Sequence, residues 1–310
     1  MPAPHRLGTA WRAALAACCA VLALSACGSS SEKGGSTPSD PPAKPSDPPL
    51  AQGPPPPVGA VPQLADMRGQ RLPVEEYLLQ PAQSAKIQAA RKALVVRCLQ
   101  GKGIDFAFPA QAASASAGAR RTQSEMRYVT PPEVAAKFGY HNPDGQAQPP
   151  RPPAMPKRTE EALFGADGNG GCFGDVDADF AARGLVIQDS ELVVGINIDN
   201  MARSMEDERM KAAFGRWSGC MKAKGYTYAT PMEASGDPRW TQAPAPSPEE
   251  TATAVAHTAC MTENNLVGTW FTIESAYEQR DIDAHAAELA AYRTAVGNTL
   301  RFADSVLAQG

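Results

Sequence analysis

The chain has 310 residues, with 29 basic against 33 acidic side chains and a formal charge of -4. No apolar run of about 20 residues lies beyond the N-terminus, which excludes a polytopic membrane protein, and no basic excess or basic stripe supports a nucleic-acid partner. Seven cysteines in so long a chain also exclude a short disulfide knot.

Arg6 and Arg12 make a basic n-region, Ala13 to Ala23 an apolar stretch of secretory length, and Leu24-Ser25-Ala26-Cys27 follows. An aliphatic residue, two small residues and then cysteine resembles the lipobox of bacterial lipoproteins. The resemblance implies a signal peptide over residues 1–26, diacylglyceryl transfer to the Cys27 thiolate and cleavage before Cys27. With no Arg-Arg pair, general secretion is the expected route. Losing Arg6 and Arg12 leaves 27 basic residues against the 33 acidic ones, a mature charge of -6. Attachment to the outer face of the cell membrane is therefore expected to rest on acyl chains at Cys27 rather than on charge.

Residues 27–63 read as a disordered, proline-rich tether. Ser-Asp-Pro-Pro occurs twice, at Ser39–Pro42 and Ser46–Pro49, before Pro54–Pro57. Large apolar side chains are nearly absent, so this stretch has no core of its own, and proline favours extended polyproline II. About 36 such residues reach roughly 110 Å when extended.

Residues 64–310 read as one mostly α-helical extracytoplasmic domain. Gln83 to Gln100 carries apolar residues at helical spacing (Ile87, Ala90, Leu94, Cys98) and stops at Gly101 and Gly103. Thr130-Pro131-Pro132-Glu133 reads as a capping box opening a short helix that ends at Gly139. Short helices are expected from Thr159 to Phe164 and from Cys172 to Arg183. A long helix is expected from Asp189/Ser190 to about Ala223, with Trp217 on its apolar line. Ser247-Pro248-Glu249-Glu250 opens a second, whose apolar pattern through Trp270, Leu289 and Leu300 runs almost to the end, with kinks expected at Gly268 or Gly297. Unbroken, it would span about 60 residues and about 90 Å, and it needs a partner; antiparallel pairing of the two long helices is expected. Only Gly103–Pro109 and Gly225–Pro231 alternate as short extended segments.

The sequence Cys98-Leu-Gln-Gly-Lys-Gly-Ile-Asp-Phe-Ala-Phe-Pro109 aligns with Cys220-Met-Lys-Ala-Lys-Gly-Tyr-Thr-Tyr-Ala-Thr-Pro231. Each copy places a cysteine near a helix end, then Lys-Gly, then an extended run to proline, and a further cysteine follows each: Cys172 and Cys260. This suggests two pseudo-repeat units, about 82–184 and 190–308. With Cys18 and Cys19 removed and Cys27 lipidated, four cysteines remain for an oxidising compartment. Three connectivities exist. The repeat favours Cys98–Cys172 and Cys220–Cys260, each worth about 4 kcal/mol in the chain-entropy model. Metal ligation, with His257 three residues before Cys260, is the rival; wide spacing and the absence of a Cys-x-x-Cys argue against it.

Cys-Met before a Lys-Gly-Tyr turn, Gly139-Tyr140-His141 after a short helix and a late Ala-x-x-x-Cys helix together resemble the small uncharacterised lipoproteins that actinobacteria export. The resemblance implies location and disulfides. It brings no activity with it.

No catalytic constellation stands out. Gly-x-Ser-x-Gly, His-Glu-x-x-His and a phosphate-loop Gly-Lys-Ser/Thr are all missing. Asp167-Gly-Asn-Gly-Gly with Asp175, Asp177 and Asp179 mimics the start of a calcium loop, but its twelfth position is Ala178 and its sixth Cys172. Neither a cofactor nor a resident metal is expected. Trp217 and Trp270 read as core contacts, and Trp240, in a proline-rich loop, as a candidate exposed aromatic for ligand contact. The expectation is a non-enzymatic binding or interaction module of the cell envelope, with an unidentified envelope protein or small ligand as partner. The competing readings are an enzyme acting on cell-wall material and an assembly factor pairing through its C-terminal helix. A closed apolar stripe beside a polar concavity favours the binder, and an exposed stripe the assembly factor.

Overall fold

A computed structural model describes residues 50–109, 128, 130–141 and 155–309. The leader, Cys27, the tether as far as residue 49 and the Ala112–Gly118 loop lie outside the described residues. The described residues belong to one compact unit, Asp47–Gly310. Among them are helices, turns and extended coil, and no β-strand.

The helices are α1 (Pro81–Gly101), α2 (Pro132–Phe138), α3 (Lys157–Phe164), α4 (Gly171–Ala182), α5 (Glu191–Glu206), α6 (Glu208–Ala223), α7 (Pro231–Ser235), α8 (Pro238–Thr241), α9 (Pro248–Glu263), α10 (Leu266–Ala284) and α11 (Ala286–Leu307), preceded by a 3-10 turn at Pro73–Glu76. The mostly helical class is as expected, and so are the two bonds: Cys98–Cys172, with Cα atoms 5.8 Å apart, and Cys220–Cys260, at 5.7 Å.

Several starts follow directly from local chemistry. Ser190 accepts the amide of Val193 at the head of α5. Ser247 and Glu250 exchange both bonds of a capping box at α9. At α2 the expected box does not form: the cap is Pro131 and makes no side-chain bond. The Thr130 carbonyl instead accepts from the Thr258 hydroxyl of α9.

Both expected long helices are segmented. The first breaks at Asp207, which leaves helical geometry (φ -67°, ψ 133°) so that its carboxylate can cap α6 through the Arg209 amide. The same carboxylate accepts from the Arg209 guanidinium and the Tyr277 hydroxyl. The second breaks at Asn264–Asn265, where Asn265 is left-handed (φ 46°), and again at His285. Gly268 and Gly297 lie inside helices instead of at kinks. Gly268 serves close approach, because a Cβ there would strike the Pro62 carbonyl.

Segmentation changes the pairing. α5 and α10 run antiparallel, with Asn200 on Asp281 and Ser204 on Trp270. α6 and α9 run parallel: Trp217 meets His257, Cys220 joins Cys260, and Lys224 pairs with Glu263. Only part of the expected antiparallel pairing therefore forms.

The repeat holds at its turns. In the first copy Lys102 N–H reaches the Cys98 and Leu99 carbonyls, Gly103 that of Gln100, and Ile104 that of Leu99. In the second, Lys224 reaches Cys220 and Met221, Gly225 reaches Lys222, and Tyr226 reaches Met221. This is one Schellman-type ending in one register, with Gly103 at φ 69° and Gly225 at φ 92°. Beyond the turns the copies diverge. Cys172 opens α4, which lies antiparallel to α1 with Asp177 on Arg91, whereas Cys260 ends α9 in the parallel pair. α11 also packs on α1 through Ala90, Ala303 and Val306, so the two copies share a core.

The end of the tether is a further correction. Residues 50–63 lie bonded against the helices. Ala51 donates to Asp281 (2.9 Å) and its carbonyl accepts from Arg203 (2.6 Å). Arg280 donates to the Pro54 carbonyl, Arg209 to that of Pro56, and Asn265 to that of Pro62. Proline offers a carbonyl and no N–H, which suits a segment held by arginine and asparagine donors. Asp281, fully buried, also takes Asn200 (2.6 Å) and Arg203 (2.8 Å), so the guanidinium supplies a counter-charge where residues 50–63 dock.

Candidate functional site

A cavity of about 280 Å³ opens between α5, α7, α9 and α10, with Thr130 and Tyr140 from the two ends of α2. Tyr128, Tyr140 and Trp270 give it aromatic walls, Met201 and Met232 flank it, and His257 supplies an imidazole. A smaller cavity of about 140 Å³ adjoins it across Tyr140 and Ser235 and reaches Trp240 and His141.

Glu250 organises this region from below. Fully buried at the N-terminus of α9, it accepts the Tyr140 amide at 2.8 Å and approaches His141 Nδ1 at 2.8 Å, while its other oxygen closes the capping box with Ser247. The Ala243 carbonyl and Glu250 both favour protonated His141 and raise its pKa above the ordinary value. Gly139, at φ 59°, has to be glycine, because a Cβ would collide with the Glu250 carboxyl. Gly139-Tyr140-His141 is thus a docking turn that seats α2 on the head of α9.

That turn aims Tyr140 into the cavity. Its ring stacks on Trp240 at 5.4 Å and meets His257 edge-on at 5.6 Å, and its hydroxyl lies 3.2 Å from His257 Nδ1. His257 is 5% exposed, and burial depresses its pKa to about 4, so the imidazole is neutral at physiological pH. Burial pushes the Tyr140 phenol far above its ordinary value. On the opposite wall Tyr128 stacks on Trp270 at 4.8 Å and donates to Glu274 at 2.5 Å. Trp270 in turn donates to the Ser204 hydroxyl, tying the wall to α5.

Trp217 and Trp270 are core residues as expected, at 0% and 1% exposure. Trp240 is not the exposed platform that its proline-rich surroundings suggest. It is 2% exposed, with its indole N–H on the Ala234 carbonyl and the Arg239 guanidinium over its ring. Arg239 is held in turn by Asp237, Tyr228 and Glu249. Asp237 is held down to about 2 by that guanidinium.

Of the two disulfides, one lies by the site. Cys220–Cys260 staples α6 to α9 beneath His257 and Trp217, and Cys98–Cys172 ties α1 to α4 in a separate core. Cys220, Cys260 and the Glu263 carboxylate do converge. Both sulfurs are bonded to each other, however, and a disulfide sulfur is not the thiolate a metal requires. The acidic residues of the calcium-like loop are dispersed: Asp177 pairs with Arg91, Asp179 with Arg183, and Asp175 faces Lys102. Tyr128 and Met232 carried no local signal, and Met201 read only as part of a helix's apolar line. Their roles come from which helices meet.

No protein-family model matches the chain, and neither a curated protein nor a solved structure matches it.

Proposed function

We propose that this protein is a lipid-anchored lipoprotein on the outer face of the cell membrane that binds a small molecule without transforming it. The cavity carries the reading. Its wall combines aromatic rings, two methionines and a few hydroxyls around a neutral histidine, the composition of a recognition site. The closed apolar stripe of the terminal helices supports the same choice. α10 buries Leu266, Val267, Trp270, Ile273, Tyr277 and Ile282, and α11 buries Leu289, Tyr292, Ala303 and Val306. Among the described residues, those two helices expose one large apolar side chain, Leu307. The lipobox at Leu24–Cys27 and two disulfides suit an oxidising location outside the cytoplasm. None of the described helices is long and apolar enough to cross a membrane. The proposed anchor is the lipid on Cys27.

Native mass spectrometry of the protein extracted gently from producing cells tests the reading. A non-covalent adduct of defined mass is expected, and Ser235→Trp, at the exposed mouth of the cavity, is expected to remove it. A spectrum without an adduct, or an adduct that survives Ser235→Trp, contradicts a binding role for this cavity.

A further inference from the structure

Resting on that reading, we propose that the cavity is built for an uncharged ring compound carrying a hydroxyl or carbonyl, with the ring among Tyr128, Tyr140 and Trp270 and the polar group at the Tyr140–His257 pair. The first argument is charge. Among the described residues, no Lys, Arg, Asp or Glu lines the cavity. A charged guest would leave water without meeting a counter-charge at the wall, and that penalty is several kcal/mol in real proteins.

The second argument is a donor account. Tyr128 gives its hydroxyl hydrogen to Glu274, Ser235 to the Met232 carbonyl, and Thr258 to the Ala254 and Thr130 carbonyls. Those three donors are committed within the protein, which leaves on the wall the Thr130 hydroxyl and the Tyr140–His257 pair. Neutral His257 and Tyr140 hold two hydrogens, an N–H and an O–H, and a single contact at 3.2 Å joins them. Only one hydrogen bridges that contact, whichever ring nitrogen carries the proton, so the pair retains a donor. A guest hydroxyl or carbonyl oxygen is the matching acceptor. The third argument is shape. At about 280 Å³ the space lies just below the usual range for drug-sized ligands, and it is walled by rings, which suits a compact ring rather than a long chain. Met201 and Met232 adapt to its outline.

The test uses three probes of similar size: benzyl alcohol, benzoate and benzylammonium. Each is titrated into the full mature protein in detergent and followed by tryptophan emission and saturation-transfer NMR. Benzyl alcohol is expected to bind at least tenfold more tightly than either ion. Met232→Trp and Ser235→Trp, which fill the cavity from α7, are expected to abolish its binding while leaving helicity unchanged. Equal or tighter binding of an ion overturns the proposed ligand class and leaves the binding role standing. Benzyl alcohol binding that persists in both variants overturns the proposed location. If none of the three binds, the ring-compound class is wrong, and the native mass spectrum decides separately whether the cavity binds anything.

Discussion

Removing the Cys220–Cys260 bond with a Cys220→Ser/Cys260→Ser variant is expected to lower folding free energy by about 4 kcal/mol. The bond closes a segment with a sequence separation of 40, which holds α7 and α8 and hence Pro231, Met232, Ser235 and Trp240. Without it, the unfolded chain regains that loop's freedom. The α6–α9 pair then relies on its packing, chiefly Trp217 on His257, and on the Lys224–Glu263 ion pair. That ion pair is solvent-exposed and adds little. Urea denaturation without reductant measures the loss. The Cys98→Ser/Cys172→Ser variant, with a separation of 74, is expected to lose a similar amount, also about 4 kcal/mol. It differs in consequence, because α1 and α4 contribute nothing to the cavity wall. Ligand binding is therefore expected to weaken in the first variant and persist in the second under conditions where both remain folded. A loss below about 1 kcal/mol in the first would contradict the stapling role assigned to that bond.

The second large effect is acid sensitivity set by His257. Its folded pKa of about 4 lies below the ordinary 6.5 that it regains on unfolding. The unfolded chain therefore binds the extra proton first. The contribution of His257 is complete above pH 6.5 and declines as pH falls from 6.5 towards 4, by about 3 kcal/mol over the whole leg. His141 has the opposite sign: its raised pKa adds stability that is complete below 6.5 and lost as pH rises through its folded value. Below 6.5 its contribution is constant and does not mask the His257 leg. Asp207, its carboxyl lowered chiefly by Arg209, keeps its contribution until pH drops below the ordinary carboxylate range. Stability measured by urea at steps from pH 7 to about 4.5 is thus expected to fall in the native protein. In His257→Leu it should stay nearly flat, from a lower starting value at pH 7. A native protein as flat as the variant would mean that His257 is not held neutral in the fold.

What could be read from the sequence was local chemistry. Ser247-Pro248-Glu249-Glu250 specifies its helix start because both capping bonds lie within three residues. The two Lys-Gly endings are legible for the same reason, since each Schellman turn closes on its own helix. The disulfide pairing followed from those repeated turns. The direction of the paired helices did not, because cysteine spacing carries no information on whether two helices run parallel, and α1–α4 and α6–α9 adopt opposite answers. The break at Asp207 was hidden inside a continuous apolar pattern, since its carboxylate is fixed partly by Tyr277, 70 residues away. Pro54, Pro56 and Pro62 read as solvated tether because their arginine and asparagine donors are distant in sequence. The candidate site was legible in one part, the Gly139-Tyr140-His141 turn. Its purpose became visible only when α9 supplied Glu250 and His257. Trp240 misled because its loop looks exposed, whereas Tyr140 and Arg239 cover the indole.

The claim on which the location and the oxidised state both rest is the modification of Cys27. Its most direct test is the mass of the N-terminal peptide from protein recovered in the membrane fraction of producing cells. The account predicts a peptide that begins at Cys27 and carries a thioether-linked diacylglyceryl group, with Cys27→Ala shifting the protein into the medium. A peptide that begins at any other residue, or an unmodified Cys27 in protein still bound to the membrane, would contradict it.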